Sequence, residues 1–265
     1  MQTKRKGVVQ VKAYGEDNYK ITVCNTIISG IKSEREKKQI VKKGEANHED
    51  KLSQSLSRTR NKILEYGFCN DWYWFVTLTL DKAKYQRDNL PKFIKDLGQF
   101  IRDQRKKYGL DIKYLLIPEL HADGKNWHMH GLLTELPTCN LAPHPLDKEF
   151  EKGYLIWEDY TKKFGYCSVG AIRDKKATAS YILKYISKDI TKTAVGTNKK
   201  LYYCSRGLKT AEKVAEGQLY KPLNFNMAYE GLYTKSTFVD SYEWFKPYYI
   251  DFNEKENKHV YESIS

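Results

Sequence analysis

The 265-residue chain carries a formal net charge of +13, from 46 Lys and Arg against 33 Asp and Glu, and 40% of its residues are hydrophobic. That apolar share can fill a core, which excludes a disordered tail, and the basic excess favours a polyanionic partner, nucleic acid first among them. Five widely spaced cysteines without a Cys-x-x-Cys pair exclude a zinc ribbon or a disulfide framework, and no run is apolar enough for a signal peptide or a membrane span. A soluble cytoplasmic protein with no membrane partner is therefore expected.

In chain order, residues 1–70 form a basic N-terminal extension. It holds a predicted hairpin (Val8–Val11, then Tyr19–Cys24) and a charged stretch from Lys32 to Arg60 compatible with a helix. From Trp72 the chain is aromatic and β-branched, as in a buried strand, and a folded core is expected over 71–210. Leu90, Phe93, Ile94, Leu97, Phe100 and Ile101 recur at helical spacing, with Pro91 near the start and Gly109 as the stop. Ile112–Pro118 and Trp127–Leu136 read as strands joined by a tight turn at Asp123-Gly124. A loop from Pro137 to Pro145 follows. Beyond it come a strand near Tyr166–Ile172, a helix near Ala177–Asp189, a strand at Leu201–Ser205 and an aromatic extension, 211–265, packing on the core.

Half of the six histidines fall within ten residues, 121–130. On a strand His128 and His130 share one face and Met129 takes the other. An Asp123-Gly124 turn sets Ala122 against Lys125 and His121 against Asn126, which brings Glu119 opposite His128 on the histidine face. A one-residue slip would undo that arrangement. Two imidazoles and a carboxylate suit a divalent ion such as Mg²⁺ or Mn²⁺, with positions left open for phosphate and water; His121 is the alternative third ligand.

On a helix, Tyr181, Lys184, Tyr185 and Lys188 occupy one sector, opposite Ala179, Ile182, Leu183 and Ile186. A metal that polarises a phosphate, with lysines offsetting charge, makes a phenol a competent nucleophile toward phosphorus. Attack leaves a 5′-phosphotyrosine and a free 3′-hydroxyl, and the exchange of one phosphodiester for another is close to reversible. Lys125, Trp127, Arg102 and Arg105 are candidate DNA contacts, through stacking on bases and pairing with phosphates.

These segments resemble the HUH endonucleases, and within them the rolling-circle replication initiators (Rep proteins) of bacterial plasmids and single-stranded DNA phages. Phe75-Val76-Thr77-Leu78-Thr79-Leu80 is similar to the family's first motif, His128-Met129-His130 to its histidine–hydrophobic–histidine motif, and Tyr181 to Lys188 to its tyrosine motif. Leu201 to Leu208 resembles a strand segment that follows the tyrosine helix. The resemblance implies an α+β fold: a central antiparallel β-sheet flanked by helices, related to the RNA-recognition fold, with both histidines on a central strand and the tyrosine helix across the metal face. It also implies Glu119 as the third metal ligand, Tyr185 as first nucleophile, Tyr181 as second, and Lys184 and Lys188 as helpers. The implied partners are single-stranded DNA at an origin stem-loop and the host helicase and polymerase, since the chain contains no G-x-x-x-x-G-K-[ST] sequence. A relaxase, a transposase, a hydrolase using water and a non-catalytic DNA binder with a structural metal are the competing readings.

Overall fold

The computed structural model describes residues 3–5, 7–24, 27–29, 48–185, 200–230 and 234–252. The fold is α+β, built on two large antiparallel sheets. The chain forms two compact units, one of residues 48–209 and the other of residues 1–47 with 210–265. Among the described residues no helix is long and apolar enough to cross a membrane.

The 48–209 unit is organised on a seven-stranded sheet. Its order is Tyr203–Cys204, Tyr114–Leu120, Trp127–Leu133, Trp74–Thr79, Cys167–Ala171, Leu155–Trp157 and Leu141–Pro143, and every neighbouring pair is antiparallel. The histidine strand, Trp127–Leu133, is thus paired on both sides. Period-two alternation divides the side chains between the faces. Trp74, Val76, Leu78, Leu116, Trp127 and Met129 enter one core cluster with Phe93, Leu97, Phe100 and Ile101 of the helix Leu90–Tyr108. Each of these large side chains stabilises the fold by about 1.5–3 kcal/mol through removal from water. That helix starts where Asn89 Oδ1 accepts from Lys92 N (3.0 Å) and stops at Gly109, whose left-handed φ of 68° returns its N–H to Arg105 O.

The opposite face carries Leu115, Ile117 and Leu132, buried with Ile63 and Ile182, beside Glu119, His128, His130, Thr77 and Thr79. Ile63 belongs to the helix His48–Cys69, which runs into the charged stretch read from the sequence; residues 30–47 lie outside the described residues. The helix expected near Ala177–Asp189 begins earlier, at Lys175, because Asp174 Oδ1 accepts from Ala177 N (2.9 Å). It is α-helical to Tyr181 and tightens to a 3₁₀ turn over Ile182–Tyr185; residues 186–189 are outside the described set. The loop expected at Pro137–Pro145 contains a 3₁₀ turn (Thr138–Asn140) and the edge strand Leu141–Pro143. Its prolines hide that strand in the sequence, yet the edge of a sheet tolerates them because one side of the strand makes no ladder.

The other unit has a six-stranded sheet ordered Tyr229–Glu230, Thr234–Val239, Tyr19–Cys24, Val8–Ala13, Glu212–Leu219 and Tyr249–Asp251. The predicted hairpin is present, with Val8 opposite Cys24 and Ala13 opposite Tyr19. Val9, Val11, Ile21 and Val23 share a core with Ala215, Met227, Phe245 and Tyr249. The segments read from the sequence as separate N- and C-terminal extensions therefore meet in one sheet. The boundary of the core unit falls before His48 rather than near residue 70, since Ile63 is fully buried in it.

Candidate metal centre

The glutamate and histidine strands pair with Glu119 opposite His128 and Ile117 opposite His130, the register expected. The turn that joins them differs. Gly124 N donates to His121 O (2.9 Å), so the tight turn is centred on Ala122-Asp123, and His121 N donates to Asn126 O (2.8 Å) across a four-residue loop. Asp123 Oδ1 accepts from the backbone N–H groups of Lys125 and Asn126, which hold its carboxyl down at about 2. A four-residue loop differs from the expected two-residue loop by an even number, so each side chain keeps its face.

On that face three donors converge. His128 Nε2 is 2.8 Å and His130 Nε2 is 2.7 Å from Glu119 Oε2, and the two nitrogens are 3.3 Å apart. Donors around an octahedral ion with bonds near 2.1 Å stand about 3.0 Å from one another, so these separations match one face of a Mg²⁺- or Mn²⁺-sized coordination sphere. Glu119, His128 and His130 are accordingly a set that could hold a metal ion. Behind them Thr77 Oγ1 lies 3.1 Å from His130 Nδ1. A proton on Nδ1, donated to Thr77, leaves the Nε2 lone pair facing the other two donors, the tautomer that ligation requires. Burial, and then the neighbouring His128, push the His130 imidazole down to about 4, so it is neutral at physiological pH.

His121 does not join the set. Its ring lies 4.3 Å from that of His128, but its Nε2 faces Arg87 Nη2 at 3.3 Å. A guanidinium can only donate, so that contact occupies the lone pair a metal would need. Burial, His128 and Arg87 in turn lower the His121 pKa. Nothing in the sequence singles out Arg87, one Arg among many, and Thr77 is visible there only as part of a strand.

The tyrosine segment comes to the same face. Ile182 is buried with Leu115, Ile117 and Leu132, and the 3₁₀ turn it opens contacts both strands of the hairpin. Tyr181 is 47% exposed and its ring is 5.7 Å from that of Phe75, which stacks at 6.4 Å on His130. A shared helical sector for Tyr181 and Tyr185 assumes one continuous α-helix, and the change to 3₁₀ winding at Ile182 removes that basis. The side chains of Lys184 and Tyr185, and all of Lys188, lie outside the described residues.

Of the expected DNA contacts, Lys125 is exposed in the hairpin turn. Trp127 is not available for stacking: it is 3% exposed and points into the core on the far face of the sheet. Arg102 and Arg105 belong to the helix packed on that far face. Arg102 is exposed and donates to Gln99 Oε1 (2.7 Å), whereas Arg105 directs its donors to Ile112 O and Ser205 Oγ, tying the helix end to the sheet.

An antiparallel sheet with a His-x-His strand, a facing glutamate and a tyrosine-bearing helix is the framework on which comparison with known families rests. Residues 73–190 match the family model of the replication-associated proteins of the ORF2 type, which supports a replication initiator family for this segment. The matched segment contains the three converging donors and Tyr181. No curated protein and no solved structure matches the chain.

Proposed function

We propose that this protein is a rolling-circle replication initiator of the HUH type, which nicks single-stranded DNA at an origin and joins itself to the cut end. The observation that carries this reading is the convergence of Glu119, His128 and His130 on the sheet face that also receives the tyrosine segment. Glu119, His128 and His130 would hold a divalent ion; when bound, it supplies Lewis-acid polarisation of the scissile phosphate. Thr77 keeps His130 in the ligating tautomer. The phenol oxygen of Tyr181 or Tyr185 forms a bond to phosphorus while the bond from phosphorus to the 3′-oxygen breaks. The 3′-oxygen leaves with a proton, and the 5′-phosphate stays on the tyrosine. Because a phosphodiester replaces a phosphodiester, the free 3′-hydroxyl can reverse the step and rejoin the strand. Unwinding and synthesis fall to the host helicase and polymerase.

The test uses 5′- and 3′-labelled stem-loop oligonucleotides from candidate origins, with Mn²⁺ or EDTA, on denaturing protein gels. A metal-dependent adduct carrying the 3′-side fragment, lost in Tyr181→Phe or Tyr185→Phe, is expected. Cleavage that leaves only free ends in every variant would turn the reading to a hydrolase using water.

A further inference from the structure

The metal-site face does not end at the histidines. Thr77 is opposite His130 on one side and Ser168 on the other, and Thr79 is opposite His128, with its N–H bonded to Tyr166 O (2.8 Å). The two rows of side chains that present the metal donors therefore continue across two more strands, about 10 Å sideways at the usual strand spacing. Over these continuing rows lies a pocket of about 480 Å³, floored by Thr77, Thr79 and Ser168 and walled by His144, Leu146 and Tyr166. An adjoining groove of about 720 Å³ shares Thr77 and Ser168 with it and runs past Arg173 to Tyr181.

Two features of the pocket are costly unless something fills it. Tyr166 and Leu146 are 64% and 63% exposed, so an aromatic and an aliphatic side chain meet water at its mouth. The floor is also polar in a defined sense. Leu146 N donates to His144 Nδ1 (3.2 Å), so the proton of a neutral His144 is on Nε2 and is given to Ser168 Oγ (3.2 Å). That direction excludes a Ser–His nucleophile, in which the hydroxyl would donate to the imidazole. It leaves the Ser168 hydroxyl proton directed to another acceptor.

We propose that this pocket receives one nucleobase of the single-stranded DNA, stacked at Tyr166 and accepting a hydrogen bond from Ser168, and so sets sequence preference beside the cut. A base fits because it joins a flat π-face to edge acceptors, and stacking on aromatic side chains is the usual means of gripping unpaired bases. The groove from Tyr181 gives the strand a continuous route, and Arg173 on its wall offers a cation to the backbone. The inference rests on the nicking reading for its substrate, and it is testable without any nicking.

The experiment is equilibrium selection of a random-sequence single-stranded DNA pool in EDTA, with sequencing of the bound fraction, for the wild-type chain, Tyr166→Ala and Ser168→Ala. The wild type should enrich one base at one position. Tyr166→Ala should lose that preference and about tenfold in affinity for the enriched sequence; Ser168→Ala should relax the preference with a smaller loss. Photocrosslinking of a 5-iodouracil-substituted oligonucleotide to the wild-type chain should map to Tyr166, a result that needs no variant to fold. A wild-type pool without base preference, a preference kept by both variants, or crosslinks confined to other segments would overturn the pocket. Loss of preference in Tyr166→Ala with no tyrosine adduct on any origin would leave the pocket standing and overturn the nuclease.

Discussion

Acidifying the metal-free protein should weaken the 48–209 unit through His130 before its carboxylates titrate. Folding holds this imidazole at about 4, against about 6.5 in an unfolded chain, because it is 7% exposed and beside His128. The unfolded state thus binds a proton that the folded state refuses. The cost is absent above pH 6.5, grows as pH falls, and is complete below 4, where it amounts to about 3 kcal/mol. His121 is lowered too, by burial first, and adds a change of the same sign in the same window. Comparison with His130→Gln isolates one residue, since His121 stays in both chains. Urea denaturation followed by tryptophan fluorescence reports on this unit, which contains Trp72, Trp74, Trp127 and Trp157. Between pH 7 and pH 4.5 the wild type should lose about 2–3 kcal/mol more than the variant. Equal losses would refute the account of His130 as a buried, neutral, metal-ready ligand. At pH 7, Mn²⁺ at a hundred times its Kd should stabilise the wild type by about 2.7 kcal/mol and leave the variant little changed.

Thr77→Val keeps the shape of the side chain and removes the acceptor for His130 Nδ1–H; Mn²⁺ titration calorimetry should show affinity about 10- to 100-fold weaker with the fold retained. An unchanged affinity would show that another group fixes the tautomer. Arg105→Ala should lower the urea midpoint, at a cost of about 1–3 kcal/mol, because Ile112 O and Ser205 Oγ lose a charged donor. Its affinity for single-stranded DNA should stay that of the wild type; a drop would return Arg105 to the DNA contacts expected from sequence.

What is legible in the sequence follows the strength of its periodicities. The helix Leu90–Tyr108 is readable because six apolar positions, a cap and a glycine stop agree, and the metal set because alternation and a turn signal together determine which side chains face each other. Trp127 misleads because an aromatic residue beside two histidines looks like a stacking platform, yet the same alternation that aims His128 at the site aims Trp127 at the core. Arg105 misleads because charge alone does not say whether a guanidinium meets phosphate or the end of its own sheet. The joining of Val8–Ala13 to Glu212–Leu219 is out of reach, since pairing across some two hundred residues leaves no local pattern. The pocket over Thr77 and Ser168 is invisible for the same reason: its walls come from an irregular stretch that folds only against the sheet.

The hairpin shows which of two constraints sets the register of the site. From the sequence the register hangs on the turn, and the turn is not the one expected, yet Glu119 still faces His128. The constraint that holds is burial on the other face. A one-residue slip of the histidine strand would bring His128 and His130 into the core, and Trp127 and Met129, now 3% and 0% exposed, out of it. Exposing the two large side chains alone would cost about 3–6 kcal/mol, more than a loop change of one residue supplies. One glycine inserted after Gly124 should therefore be absorbed in the loop, lengthening it without moving the strands. Mn²⁺ affinity should stay within a few fold of the wild type, and loss of metal binding in a folded insertion variant would show that the turn, and not the core, determines where the donors converge.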